Sequence, residues 1–177
     1  EGAYVAPSFI DAHMHIESSM VVPGEFAKIA LACGTGAVIA DPHEIANVAG
    51  ARGIRFMLEA TRDSALDFYF MLPSCVPATS LETNGETLDA ERLAELRRNP
   101  RILGLAEFMN YPGVLQKDPA VIAKLAAFDG QLVDGHAPFL SGKDLEAYCA
   151  VGISTDHECT TAKEAREKLA RGMWIMM

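Results

Sequence analysis

Four of the five histidines in this 177-residue chain stand where an apolar, extended run gives way to a polar loop. His13 and His15 close the run that opens at Phe9, and because side chains alternate along a strand, both imidazoles point to one face. Two nitrogen donors can then converge on a single ion. An isolated H-x-H is a weak signal, but this one falls directly before Glu17-Ser18-Ser19, at the strand end where parallel barrels carry their active sites. His136 follows the run Val133-Asp134-Gly135, and His157 follows Thr155-Asp156. Histidines satisfied singly in a core have no reason to collect at equivalent strand ends. The four are therefore read together as ligands of a divalent transition metal.

Acidic residues share the same ends. Glu107 closes Arg101-Ile102-Leu103-Gly104-Leu105-Ala106, on the face opposite Ile102 and Gly104. Its two oxygens could bridge two ions about 3.5 to 4 Å apart, as two-metal hydrolases require. The plainer alternative is a rim carboxylate paired with a loop Lys or Arg. Asp41, His43 and Glu44 surround Pro42 after the second run, and Asp156 adjoins His157. These four are candidates for a supporting or accessory metal role, since ligands need oriented partners. Asp41, His43 and Glu44 serve equally as caps of the helix that follows.

Parallel strands are needed to bring such distant residues together. Apolar β-prone runs alternate with amphipathic stretches along the whole chain, the pattern of successive βαβ units. Expected strands are 9–15, 37–41, 67–72, 102–107, 132–135, 153–156 and 173–177; expected helices are 23–32, 51–60, 90–98, 119–127, 143–150 and 162–170. Thr161 with Glu164 reads as a capping box, and Ser141 as a second helix cap. The repeat of about 20 to 35 residues predicts a parallel sheet with right-handed crossovers. The expected fold is α/β, a TIM-like (β/α) barrel with about seven of its eight strands, since a full barrel takes about 250 residues. Residues 1–177 are thus expected to be a fragment of one barrel domain. The absence of an initiator Met, and a last run that stops mid-strand, point the same way. A complete small open-sheet domain is the other possibility.

Composition narrows the partners. Half the residues are apolar, the net charge is −9, and no basic cluster exceeds Arg97-Arg98, which disfavours nucleic acid. No run reaches the roughly 18 apolar residues of a membrane span, and no secretion signal opens the chain. The four cysteines are scattered without a CxxC pair, as in a reducing, cytoplasmic setting.

Phe9-Ile10-Asp11-Ala12-His13-Met14-His15 resembles the first-strand motif of the amidohydrolase superfamily. Further motifs resemble its adenine deaminase family: Ile16-Glu17-Ser18-Ser19-Met20, Ala40-Asp41-Pro42-His43-Glu44-Ile45-Ala46-Asn47, Pro73-Ser74-Cys75-Val76-Pro77-Ala78-Thr79, Leu105-Ala106-Glu107-Phe108-Met109-Asn110-Tyr111-Pro112-Gly113, Asp134-Gly135-His136-Ala137-Pro138 and Ser154-Thr155-Asp156-His157-Glu158-Cys159-Thr160.

The resemblance implies two ions, Mn²⁺ by preference with Fe²⁺ or Zn²⁺ as alternatives, held by His13 and His15 on one side and by His136 and His157 on the other. Glu107 would bridge them, where many relatives use a carboxylated lysine. Catalytic roles for Glu107 and His157 follow, as does hydrolysis of adenine to hypoxanthine and ammonia within purine metabolism. The substrate is thus a small molecule, with neither nucleic acid nor membrane as partner, and the unpaired edge of a barrel short of its last strand predicts association into a homo-oligomer. Ser74 and Cys75 could line the base pocket, although a tight Pro73/Pro77 turn explains them nearly as well. The family's proton-handling Asp from the eighth strand has no counterpart, with Glu158 and Asp156 as weak substitutes. The rival readings are another amidohydrolase, acting on a cyclic amide or an N-acetyl sugar, and a non-catalytic metal-binding piece.

Overall fold

The computed structural model describes residues 2–79 and 81–176. Its elements alternate: β1 (Phe9–Met14), α1 (Pro23–Ala32), β2 (Thr35–Ala40), α2 (His43–Ala60), β3 (Asp67–Leu72), α3 (Ala90–Leu96), β4 (Ile102–Phe108), α4 (Tyr111–Leu115), α5 (Pro119–Ala127), β5 (Leu132–Gly135), α6 (Gly142–Ala150), β6 (Thr155–Asp156), α7 (Ala162–Leu169) and β7 (Trp174–Ile175). Strands β1 to β5 form one parallel sheet in chain order, and β6 pairs with β7 in a second parallel ladder. Ser154 N donates to the Val133 carbonyl at 3.1 Å, which seats β6 beside β5. The α/β class and the parallel sheet agree with the sequence reading. A single seven-stranded barrel wall does not: the continuous sheet has five strands, and the last ladder is two residues wide. The seventh expected strand shortens to Trp174–Ile175, and Met177 lies outside the described residues.

The sheet is curled into a half-barrel. Flat strands about 4.8 Å apart would hold β1 and β5 about 19 Å from one another, yet His13 just inside the end of β1 meets Asp134 of β5 at 3.0 Å. The fully buried apolar side chains Val38, Phe70, Leu72 and Leu105 lie along the central strands, as expected of a parallel sheet covered by helices. At Gly104 a Cβ would run into the Leu132 carbonyl, and at Gly135 into the carbonyl of Thr155. Glycine therefore sets how closely β4, β5 and β6 approach.

Local signals explain most element ends. Thr161 Oγ1 accepts from Glu164 N at 3.2 Å, but the Glu164 carboxylate accepts from Thr160 N rather than Thr161 N, so only half of the expected capping box forms. Ser141 takes the N-cap position of α6 without making a side-chain cap bond. Gly50, with φ of 58°, breaks α2 in two, which is why periodicity showed only the part after it. The short α4 was missed because Pro112-Gly113 reads as a turn; Asn110 caps it by accepting from Gly113 N at 3.0 Å. Among the described residues, no helix is long and apolar enough to cross a membrane.

Candidate metal centre

Glu107 is the hub. It sits near the end of β4, 3 % exposed, and every histidine of the chain reaches one of its oxygens. Oε1 faces His43 Nδ1 at 3.1 Å, His15 Nε2 at 3.2 Å and His13 Nε2 at 3.9 Å. Oε2 faces His136 Nδ1 at 2.5 Å and His157 Nε2 at 3.3 Å. The imidazoles also crowd one another: the His13 and His157 rings stack with centroids 3.7 Å apart, and the Nε2 atoms of His13 and His15 lie 3.3 Å apart.

The charges that gather here set each other's protonation. Burial would raise the Glu107 carboxyl, but hydrogen bonds from His136, His15, His157 and His43 outweigh it and hold it far below the usual carboxylate range. Burial likewise opposes charge on His43 and His157. For His43 the bonds to Asp41 and Glu107 prevail, and for His157 the nearby carboxylates of Asp134 and Glu107, so both imidazoles are pushed up to about 10. His15 moves upward too, against its burial, through Glu107 and the Asp41 carbonyl that accepts from its Nδ1 at 2.9 Å. Asp41 is pushed up to about 6 by burial, against the pull of His43 at 2.8 Å. The protonation of His15, His43 and His157 is thus tied to the carboxylates that face them.

Such a set suits a cation. Three groups of donors each lie within 4.8 Å of one another: His15, Asp41, His43 and Glu107; His13, Glu107 and His157; and His136, His157 and Glu158. Two buried polar atoms around them, Asp41 Oδ1 and His157 Nδ1, lack a hydrogen-bond partner among the described residues. Imidazole and carboxylate together match the preferences of divalent first-row metals.

The other expected residues fall elsewhere. Glu44 turns outward and accepts from Ser18 Oγ at 2.6 Å. Asp156 is fully buried and spent on backbone and Lys168: Oδ2 takes Ala137 N and Lys168 Nζ, each at 3.0 Å, and Oδ1 takes Glu158 N at 2.8 Å. Its bonds thus fix the loops just after His136 and His157. Ser74 and Cys75 are buried in a cleft of about 230 Å³, bounded by Leu88, Val121 and Lys124 and lined by none of the histidines. Ser74 Oγ donates to the Glu107 carbonyl at 2.7 Å, tying the loop after β3 to the hub's backbone. A second cleft, of about 630 Å³, opens beside His13 and His157 between Ile10 and Met176.

Three participants escaped the sequence reading. Asp134 approaches His13 and His157 from below; its D-x-H spacing to His136, the same parity as His13 and His15, was the available signal. Lys168, also fully buried, bonds Asp156, Glu164 and the Ala137 carbonyl at 2.8 to 3.0 Å. An amphipathic helix with a lysine gives no hint that the lysine faces inward. Tyr148 donates to the Phe108 carbonyl at 2.7 Å and accepts from His136 N at 3.0 Å, joining the ends of β4 and β5.

Comparison with known proteins places this geometry. All 177 residues align at 58 % identity with adenine deaminase 2 of Carboxydothermus hydrogenoformans, covering 31 % of that protein. Adenine deaminases of Syntrophobacter fumaroxidans and Sinorhizobium fredii match at 56 % and 54 %, over 100 % and 99 % of this chain, and again 31 % of their own length is covered. The chain thus spans about a third of the curated relatives it matches. At the level of fold alone, a mandelate racemase/muconate lactonizing protein from Herpetosiphon aurantiacus superposes with a TM-score of 0.52 and 15 % identity, over 94 % of this chain and 46 % of that one. Residues 4–177 match the amidohydrolase family model, and the chain belongs to that family.

Proposed function

We propose that this chain forms the metal-binding wall of a larger (β/α) barrel enzyme that deaminates adenine by hydrolysis, giving hypoxanthine and ammonia. One observation carries the reading: the two oxygens of Glu107 divide the histidines, His13, His15 and His43 on Oε1, His136 and His157 on Oε2. That division suits two ions sharing one carboxylate, with Mn²⁺ the preferred metal and Fe²⁺ or Zn²⁺ as alternatives. Adenine as substrate rests on the names of the relatives, which share more than half of their residues with this chain over the matched stretch.

A divalent ion held by these residues would supply Lewis acidity, lowering the pKa of water far enough to provide a nucleophile near neutral pH. The chain's own groups set the rest. Glu107 stays ionised and fixed, a ligand bridge rather than a proton carrier. His13 and His157 both join the hub to the open cleft between Ile10 and Met176, and His157 is the one assigned to meet the substrate. Asp156 is fully engaged by backbone and Lys168, which removes it as a proton donor. Glu158 is exposed at the rim, grouped with His136 and His157. The setting is the cytoplasm, and the assembly a homo-oligomer.

The test is an assay of the full-length enzyme with metal analysis. Ammonia released from adenine, with none from adenosine or cytosine and no cleavage of dihydropyrimidines, supports the reading. Glu107→Gln should abolish turnover and lower metal content; unchanged metal and rate would remove the bridging role. Cleavage of a cyclic amide or an N-acetyl sugar instead would move the protein to another branch of the family.

A further inference from the structure

Asp134 has two oxygens with separate tasks. Oδ1 is tied to the scaffold, accepting from its neighbour Gly135 N at 2.9 Å and from Thr155 Oγ1 on β6. Oδ2 lies 3.0 Å from His13 Nδ1 and 3.7 Å from His157 Nδ1. The residue is 3 % exposed, so water does not compete for these positions. On both rings the other nitrogen, Nε2, faces Glu107, at 3.9 Å for His13 and 3.3 Å for His157.

An imidazole can direct a lone pair from one nitrogen only if the proton resides on the other, and a carboxylate at Nδ1 fixes it there. His15 obtains the same outcome from the Asp41 carbonyl. His13 and His157, far apart in the chain, both turn Nδ1 to this one carboxylate, His13 within hydrogen-bond distance and His157 just beyond it, its Nδ1 otherwise unpartnered among the described residues.

We propose that Asp134 is a positioning residue for the metal centre: it holds the ring of His13 at 3.0 Å and draws that of His157, whose Nδ1 has no other partner among the described residues, so that both carry Nδ1–H toward Asp134 and Nε2 toward the shared ion site. This rests on the metal reading above. Asp134 touches neither ion nor substrate; it acts through the two imidazoles it orients. With Oδ1 fixed by Thr155 and Gly135, Asp134→Asn keeps its carbonyl in place and turns an amide N–H₂, a donor, toward the imidazoles. The two rings are then driven to the opposite tautomer, with a proton where the lone pair belongs.

The experiment uses zinc and ¹⁵N-histidine NMR, with no reliance on turnover. In the zinc-loaded protein, His13 and His157 should show protonated Nδ1 and metal-bound Nε2. Asp134→Asn should weaken zinc binding by about 10- to 100-fold, while Thr155→Val, which leaves Oδ2 untouched, should lower stability but keep zinc affinity and ring assignment. Protonated Nε2 on either ring of the parent protein overturns the proposal whether or not any variant folds. So does Asp134→Asn with unchanged affinity. A parent protein that takes up no zinc sinks the metal reading itself, a result distinct from the other two.

Discussion

Lys168 shows how much of the site depends on residues that never face it. Fully buried, it neutralises Asp156 and Glu164 and holds the carbonyl next to His136. Burial lowers its tendency to charge, yet its bonds to Glu164 and Asp156 outweigh this and raise it above the ordinary 10.5. Glu164 is opposed by burial too, but Lys168, Thr160 and Phe139 hold it below 4.5. The raised lysine stabilises the fold fully below 10.5 and loses that contribution as pH climbs through its native value. The lowered glutamate contributes above 4.5 and loses it as pH falls through its own. Lys168→Met should therefore cost about 3 to 5 kcal/mol, with the gap from the parent widest between these limits. Thermal melts of both proteins across pH check this, and a gap independent of pH would show that the lysine's charge is irrelevant. None of this could be read in Ala162-Lys163-Glu164-Ala165-Arg166-Glu167-Lys168, where burial depends on the helix's orientation and not on its period.

At the scale of elements, periodicity and caps located most strands and helices, because a βα repeat with apolar strands writes a strong local pattern. The rim histidines were legible for the same reason: strand ends are visible, and alternation fixes which face a side chain takes. What sequence could not provide was contact across the curl. That Asp134 meets His13, and that Ser74 and Cys75 line a cleft apart from the histidines, follow from the sheet's curvature, which depends on all five strands at once. Gly104 lets β4 and β5 approach closely within that sheet. Gly104→Ala forces β4 from β5 at the Leu132 carbonyl, and overpacking of this kind costs about 1 to 3 kcal/mol. Denaturant unfolding should show the loss. Tyr148→Phe leaves the Phe108 carbonyl and His136 N without their shared partner, and a similar loss of about 1 to 3 kcal/mol is expected.

The whole molecule keeps one side bare. Among the described residues strand β1 pairs only with β2, and Phe9, Ile10 and Trp174 remain 76 %, 66 % and 75 % exposed along that side. Open edges with apolar side chains invite pairing with another chain. Light scattering of the 177-residue chain should detect association that grows with concentration, and Ile10→Lys should reduce it; a monodisperse parent would show that the edge is protected. The centre, in turn, draws its donors from β1, β4, the first residue of α2 and the loops after β1, β2, β5 and β6, and among the described residues no single element carries enough of them to grip an ion. Bound metal is therefore a tally of intact architecture. A protease cut anywhere between His13 and His157 that lets two segments drift should discharge the ion while most helices persist, so that release to a chelating dye would report damage before circular dichroism changes.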